Sequence, residues 1–231
     1  MVSHQDLSDK KEVLRFLKKM GVDTRFVSVM TSQILINNLR FSKFSRKREE
    51  VFKKYYPDLE IVRSTVFQKI CTRASRVLGE TLTPREKILI SHDNNIYNKT
   101  LSYILEPYTR KYGIEIIKKE FDLDNLKSLE DDFTTVALPL TLDDEVENIL
   151  GHIFRGEKVG MKSSHHKQGE FKIIYPLINV PLEWICSWLK VDECPMDERN
   201  ELAHDFLMYL EEVVPQVREN ILKSAHYLID E

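Results

Sequence analysis

Apolar side chains recur at helical spacing near the start of the chain. Val13, Leu14, Phe16, Leu17 and Met20 fall on one face, and Gly21 is a natural stop. The pattern predicts a second helix over residues 24–39 and a third over 64–78 that ends at Gly79. Residues 1–80 are therefore expected to form a helical N-terminal region. The period changes at Pro84. Lys87-Ile88-Leu89-Ile90-Ser91 is a short apolar run of the kind shown by a strand buried on both faces. A helix over 101–112, closed by Gly113, a strand over 114–117, a short helix over 124–130 and a strand over 134–138 follow. Thr141 is a natural N-cap, with Asp144 three residues on. In the helix they open, Val146, Ile149, Leu150 and Ile153 make the apolar stripe and Gly156 the stop. A last strand is expected within 169–175, and a helical end over 196–229 that Pro215 breaks. Strand alternating with helix is the signature of a parallel sheet with crossover helices. Residues 81–231 are thus an α/β domain.

Composition narrows the class. With 231 residues the chain can bury one sizeable core, alone or with a small appendage. Hydrophobic residues at 42% and charged residues at 31% exclude a disordered chain. A net charge of −3 means that the average surface does not attract nucleic acid, so such binding must come from a local patch. The three cysteines, Cys71, Cys186 and Cys194, are far apart and form no C-x-x-C, which argues against a disulfide framework and a four-thiolate metal site. Cys71 and Cys186 are expected as small buried hydrophobes. Trp184 and Trp188, one helical turn apart, are expected as core or interface anchors. With no apolar leader and no membrane-spanning run, a reducing, cytoplasmic setting is expected.

The local basic patch is Arg40, Lys43, Arg46, Lys47 and Arg48, followed by Lys53 and Lys54. Lysine and arginine neutralise phosphates, and Phe41, Phe44, Tyr55 and Tyr56 would stack on unpaired bases. The alternative is a solvated helix face whose phenylalanines pack inward. His165 and His166, with Lys162 and Lys167, are expected in a solvated loop that touches RNA phosphates. No metal site is expected, and a zinc finger is excluded because the first 70 residues hold no cysteine.

The string from Thr141 through Leu142-Asp143-Asp144, Glu147 and Leu150 to Arg155-Gly156 resembles the "L-D-D-x-x-E-T-x-L-x-N-x-x-R-G" helix of the PP-loop ATP pyrophosphatases that thiolate tRNA. The plain alternative is that Asp143, Asp144 and Glu147 only complement the helix dipole. Three further segments resemble the family, in its order. They are Pro176-Leu177 to Val180-Pro181 and Glu183, then Glu193-Cys194-Pro195, then Arg199, Phe206-Leu207, Leu210-Glu211 and Pro215. The likeness covers residues 85–225 and is to tRNA two-thiocytidine synthetases and cytosolic tRNA 2-thiolation proteins, subunits 1 and 2. It implies a Rossmann-like parallel sheet with flanking helices, of PP-loop or HUP type, with ATP and tRNA as partners.

The family's phosphate loop, S-G-G-x-D-S, follows its first strand, and its glycines let backbone N–H groups cradle the phosphates. Here the equivalent stretch is Ser91-His92-Asp93-Asn94, and no glycine lies between Gly79 and Gly113. The family's "G-H-N" before the paired aspartates is replaced by Pro139-Leu140-Thr141. The family's C-x-x-C is absent, and a single matching thiol, Cys194, cannot hold an iron–sulfur cluster. The resemblance therefore implies a pseudo-enzyme subunit in wobble-uridine-type tRNA 2-thiolation, non-catalytic or weakly catalytic. It would bind tRNA, pair with an active PP-loop paralogue as a heterodimer and meet a ubiquitin-like sulfur carrier, with no cofactor of its own. The alternative is a divergent ATP-dependent tRNA sulfurtransferase that adenylates a tRNA base before sulfur insertion. Ser91, Lys99 and Thr100 would then hold nucleotide, Asp143 and Asp144 would act with Mg²⁺, and Cys194 would handle sulfur.

Overall fold

Two sheets share the chain, a small one near the N-terminus and a larger one after it. The computed structural model describes residues 4–123, 126, 129, 133–195 and 201–229. The expected helix over 124–130 lies largely outside them, as does the start of the helix expected from 196.

The N-terminal third is α1 (His4–Lys19), a 3₁₀ turn (Thr24–Phe26), β1 (Val27–Val29), β2 (Gln33–Ile36), α2 (Leu39–Ser42), α3 (Arg46–Tyr55) and β3 (Glu60–Val62). This corrects the expectation of an all-helical region. Where a helix was expected over 24–39, β1 and β2 form an antiparallel hairpin with Val27 opposite Ile36 and Val29 opposite Ile34, and β3 adds in parallel. The β-branched residues of 27–36 favour a pleated surface. The hairpin is covered on both sides. Val27, Val29, Ile34 and Ile36 join Leu17, Phe44 and Phe52 in one cluster, while Leu35 enters the core of the larger sheet. A strand buried on both faces loses its alternation and looks like a buried helix.

The helix α4 (Thr65–Thr81) runs past Gly79, which has open space beside its Cα, and its N-cap is Ser64. It packs on the larger sheet. That sheet contains β4 (Lys87–Ser91), β5 (Glu115–Lys119), β6 (Thr135–Ala137), β7 (His165–Gln168) and β8 (Phe171–Ile174), in the order β5-β4-β6-β8-β7. All pairings are parallel except that of β7 with β8. Ile88, Leu89 and Ile90 of β4 are fully buried, as expected for a central strand. The helix expected over 101–112 is instead α5 (Ile96–Leu105) and α6 (Tyr108–Lys111), divided at Pro107. Then come α7 (Leu142–Phe154), α8 (Leu182–Leu189), α9 (Glu201–Val213) and α10 (Val217–Ile229). The fold is a mixed α/β one with a mostly parallel five-stranded sheet. No described helix is long and apolar enough to cross a membrane.

From β4 the chain crosses to β5 on one side, then returns to β6 on the other. The strand order reverses there, which makes the C-terminal ends of β4 and β6 the crevice position at which open α/β sheets bind ligands. Its walls are the loop 92–95 before α5 and the loop 138–141 before α7.

Candidate functional site

The first wall satisfies its own polar groups. Ser91 Oγ accepts from Asp93 N at 3.2 Å, Asp93 Oδ1 accepts from Asn95 N at 3.2 Å, and Asn95 Nδ2 donates to Asp93 Oδ2 at 2.8 Å. Asn95 Oδ1 caps α5 by accepting from Asn98 N at 2.8 Å. The first-turn N–H that would greet a phosphate is thus already bonded, and the Asp93 carboxylate stands at the same helix end. Thr100 corrects its expected role. It is fully buried, and its hydroxyl donates to Ile96 O at 2.7 Å, inside its own helix. Lys99 is half-buried on the next position. Asn98 Oδ1 is buried and has no hydrogen-bond partner among the described residues.

The second wall is α7. The expected capping box is present: Asp144 N donates to Thr141 Oγ1 at 3.3 Å, and Thr141 N donates to Asp144 Oδ2 at 2.7 Å. Val146, Ile149 and Leu150 are buried as expected, but Ile153 is 51% exposed at the end of the helix. Gly156 takes a positive φ of 66° and ends it.

Asp143 is engaged on both oxygens. Oδ2 accepts from Leu182 N at 2.6 Å, at the start of α8. Oδ1 lies 2.7 Å from Arg218 Nε of α10, an ion pair by proximity in which Nε makes no hydrogen bond to a described residue, and the same guanidinium pairs with Glu211 of α9. Burial raises the Asp143 carboxyl, and Arg218 offsets only part of that. Glu145 accepts from Lys162 N at 2.6 Å, and Glu147 pairs with His204 Nδ1 at 2.7 Å. Burial raises both of these carboxyls too. Around these polar ties, Leu142, Val146 and Ile149 pack against Ala203, Leu207, Val217 and Leu222. The carboxylate helix is therefore latched beneath the two C-terminal helices. Sequence spacing could not single out Arg218 or His204, which lie more than 50 residues from Asp143 and Glu147. The only local signal was a charged residue beside the apolar position Val217 in α10.

The cysteines also need correction. Cys186 and Cys194 are joined in a disulfide across eight residues. Lys190, in the left-handed region at φ 56°, ends α8 and turns the chain back, and Val191 N donates to Cys186 O. Cys186 is thus a buried half-cystine, and Cys194 no free thiol. Cys71 is a free thiol beside Asn37 Nδ2 at 3.3 Å, and burial pushes its pKa up.

The basic segment is divided. Phe44 and Phe52 are in the core, and Tyr56 stacks on Phe52 at 4.9 Å, so Phe44 and Tyr56 do not face bases. Phe41 and Tyr55 are exposed. Arg40, Lys43, Arg46 and Lys47 face solvent, and Lys54 is exposed at the end of α3. Arg48 turns back to Lys43 O, and Lys53 lies 3.9 Å from Glu49. His165 and His166 lie on strand β7 and not in a loop, and His166 stacks on Tyr175.

No family model matches the chain. A protein of Methanocaldococcus jannaschii named "Probable sulfurtransferase" is 26% identical over 112 residues, 48% of this chain and 33% of that protein. The match thus spans about a third of the relative's length. The solved structure of the U34-tRNA thiolase NcsA from Methanococcus maripaludis, with its 4Fe–4S cluster, superimposes with a TM-score of 0.53 at 14% identity, over 72% of this chain and 79% of that one. The fold is similar to that of a PP-loop tRNA thiolase, and the two likenesses together bear out the resemblance to the tRNA-thiolation PP-loop proteins. The thiolase's cluster does not fit the residues present here. Two of the three cysteines are bonded to each other, the third is half-buried in α4 and stands alone, and the described residues hold no His, Cys, Asp and Glu grouping suited to a metal.

Proposed function

We propose that this chain is a tRNA-thiolation protein of the PP-loop type whose nucleotide crevice is closed. It serves as a non-catalytic or weakly catalytic subunit beside an active PP-loop paralogue, with tRNA as the shared ligand. One observation carries the reading. Asp143, the first of the paired aspartates that resemble the family's, spends both oxygens on the chain's own Leu182 N–H and Arg218. A carboxylate in a closed ion pair offers no free oxygen to Mg²⁺ without breaking that pair.

The loop at 91–95 supports the same conclusion. In a nucleotide site the backbone donors stay open and the loop is bare. Here Asp93 and Asn95 have taken two of those donors, Asn95 N and Asn98 N, and Asp93 brings a carboxylate with it. The disulfide of Cys194 with Cys186 removes the thiolate that sulfur transfer by this chain alone would need.

The test uses purified chain, tRNA and Mg–ATP, with and without a paralogue that retains S-G-G-x-D-S. The chain alone should neither adenylate tRNA nor gain thermal stability from Mg–ATP, since a ligand stabilises only what it binds. Added to the paralogue, it should raise thiolation. Adenylation of tRNA by the chain alone would overturn this reading in favour of a divergent sulfurtransferase.

A further inference from the structure

The outer face of α4 carries a polar stripe that the crevice does not use. Gln68, Lys69, Thr72, Arg73 and Arg76 recur at spacings of one and four, three or seven, so they share one side, while Phe67, Ile70, Ala74 and Val77 face the core. Along this stripe runs an open groove of about 440 Å³, floored by Trp184 of α8. That volume lies within the range of small-ligand sites.

The groove combines cations with a flat stack. The Arg73 guanidinium lies 4.4 Å from the Trp184 ring centroid, and Lys69 Nζ lies 5.4 Å from it. Arg73 is fixed in place, because it donates to Asn179 O at 2.9 Å and to Glu219 Oε1 at 2.9 Å. Its charge is thus largely balanced, and its role is a planar shelf. Lys69 and Arg76 are exposed, and neither has an ion pair with a described residue. At a rise of about 1.5 Å per residue they stand roughly 10 Å apart along the helix, far enough to meet more than one phosphate. The groove's end meets α2, where Leu39 N donates to Gln68 Oε1 and the exposed Arg40 and Phe41 follow. In a chain of net charge −3, this concentrates positive charge beside an aromatic plane.

We infer that the α4–α8 groove binds a single-stranded segment of RNA, with phosphates against Lys69 and Arg76 and a base against the Arg73–Trp184 stack. Unpaired bases stack on aromatic rings and guanidinium planes, and lysine and arginine beside them neutralise the backbone. The inference rests on the tRNA reading above and gives that reading its surface, which is α4 and not the α3 segment. Arg40, at the groove's end, is the part of the expected basic patch that would join it.

The experiment measures binding of the full chain to a tRNA transcript and to a short labelled single-stranded RNA across a salt series, with Trp fluorescence recorded. Lys69→Ala/Arg76→Ala should weaken binding roughly tenfold and lower the salt slope by about two, while leaving the melting temperature unchanged. Trp184→Phe should abolish the RNA-induced change in fluorescence, because Trp188 is packed against Phe67 and Tyr103. If the double variant binds like the parent while Arg46→Ala/Lys47→Ala does not, the groove is wrong and the tRNA reading stands. If the parent binds neither RNA, both fall. If inorganic phosphate or ATP displaces the RNA and alone alters Trp184 fluorescence, the groove is a small-anion site and the inference is overturned.

Discussion

Asp143 is buried to 7% exposure, and its ionised form is favoured by Arg218 2.7 Å away and by the Leu182 N–H bond, against the cost of burial. A buried ion pair adds little beyond what a well-packed apolar pair would give, yet breaking one strands the survivor. Arg218→Met should therefore cost about 3–5 kcal/mol in urea unfolding, and Arg218→Met/Asp143→Leu should recover most of it. The pH dependence has a definite sign. Burial already holds the Asp143 carboxyl above its ordinary 3.8, and losing Arg218 raises it further. A raised carboxyl favours folding when protonated, so that contribution is complete below 3.8 and lost as pH rises through the raised value. The deficit of Arg218→Met should accordingly shrink on acidification and be largest at neutral pH. A deficit independent of pH would place the role of Arg218 in packing alone.

Among the elements, α7 was the most legible. Thr141, Asp144 and the stripe of Val146, Ile149 and Leu150 contain their own instructions, because capping and amphipathicity act over three or four residues. Thr141→Ala removes the hydroxyl that accepts from Asp144 N and donates to Asp144 Oδ2, keeps the Thr141 N–H bond to Asp144, and should cost about 1 kcal/mol, seen as a fall in melting temperature of roughly 2–4 °C. Asp93→Ala, in the loop before α5, should cost less, since that residue is exposed and Asn95 keeps the cap. The β1–β2 hairpin was illegible for the opposite reason. Its residues are buried on both faces, Ser28 as fully as its apolar neighbours, because α1 and α3 cover one side and the larger sheet's core the other. Nothing within ten residues distinguishes that from a buried helix. The disulfide was equally hidden, since only the left-handed turn at Lys190 returns residue 194 to residue 186.

At the scale of the molecule, Glu106 and Arg110 tie the small sheet to the corner between α5 and α6. Glu106 Oε2 accepts from Val29 N at 3.0 Å, Arg110 donates to Val27 O at 2.7 Å, and Lys10 pairs with Glu106 at 2.7 Å. Burial alone would raise the Glu106 carboxyl, but Arg110 and Lys10 outweigh it and hold it below 4.5. A lowered carboxyl adds stability above its unfolded value and loses it as pH falls through the folded one. Glu106→Gln should thus lower stability at neutral pH by about 1–3 kcal/mol and make the acid limb shallower, as read by unfolding across pH 3–7. An acid limb as steep as the parent's would show that other carboxylates govern it. The amino-acid sequence by itself determined the strand–helix alternation of the larger sheet, the cap and stripe of α7, and the absence of glycine after β4, because each is written in neighbouring residues. The tertiary structure alone decided that Arg218 closes on Asp143, that Cys186 meets Cys194, and that Trp184 lies under Arg73. The first and last of those pairs are brought together by the packing of helices far apart in the chain and the cysteines by the left-handed turn at Lys190, and local periodicity carries no information about either.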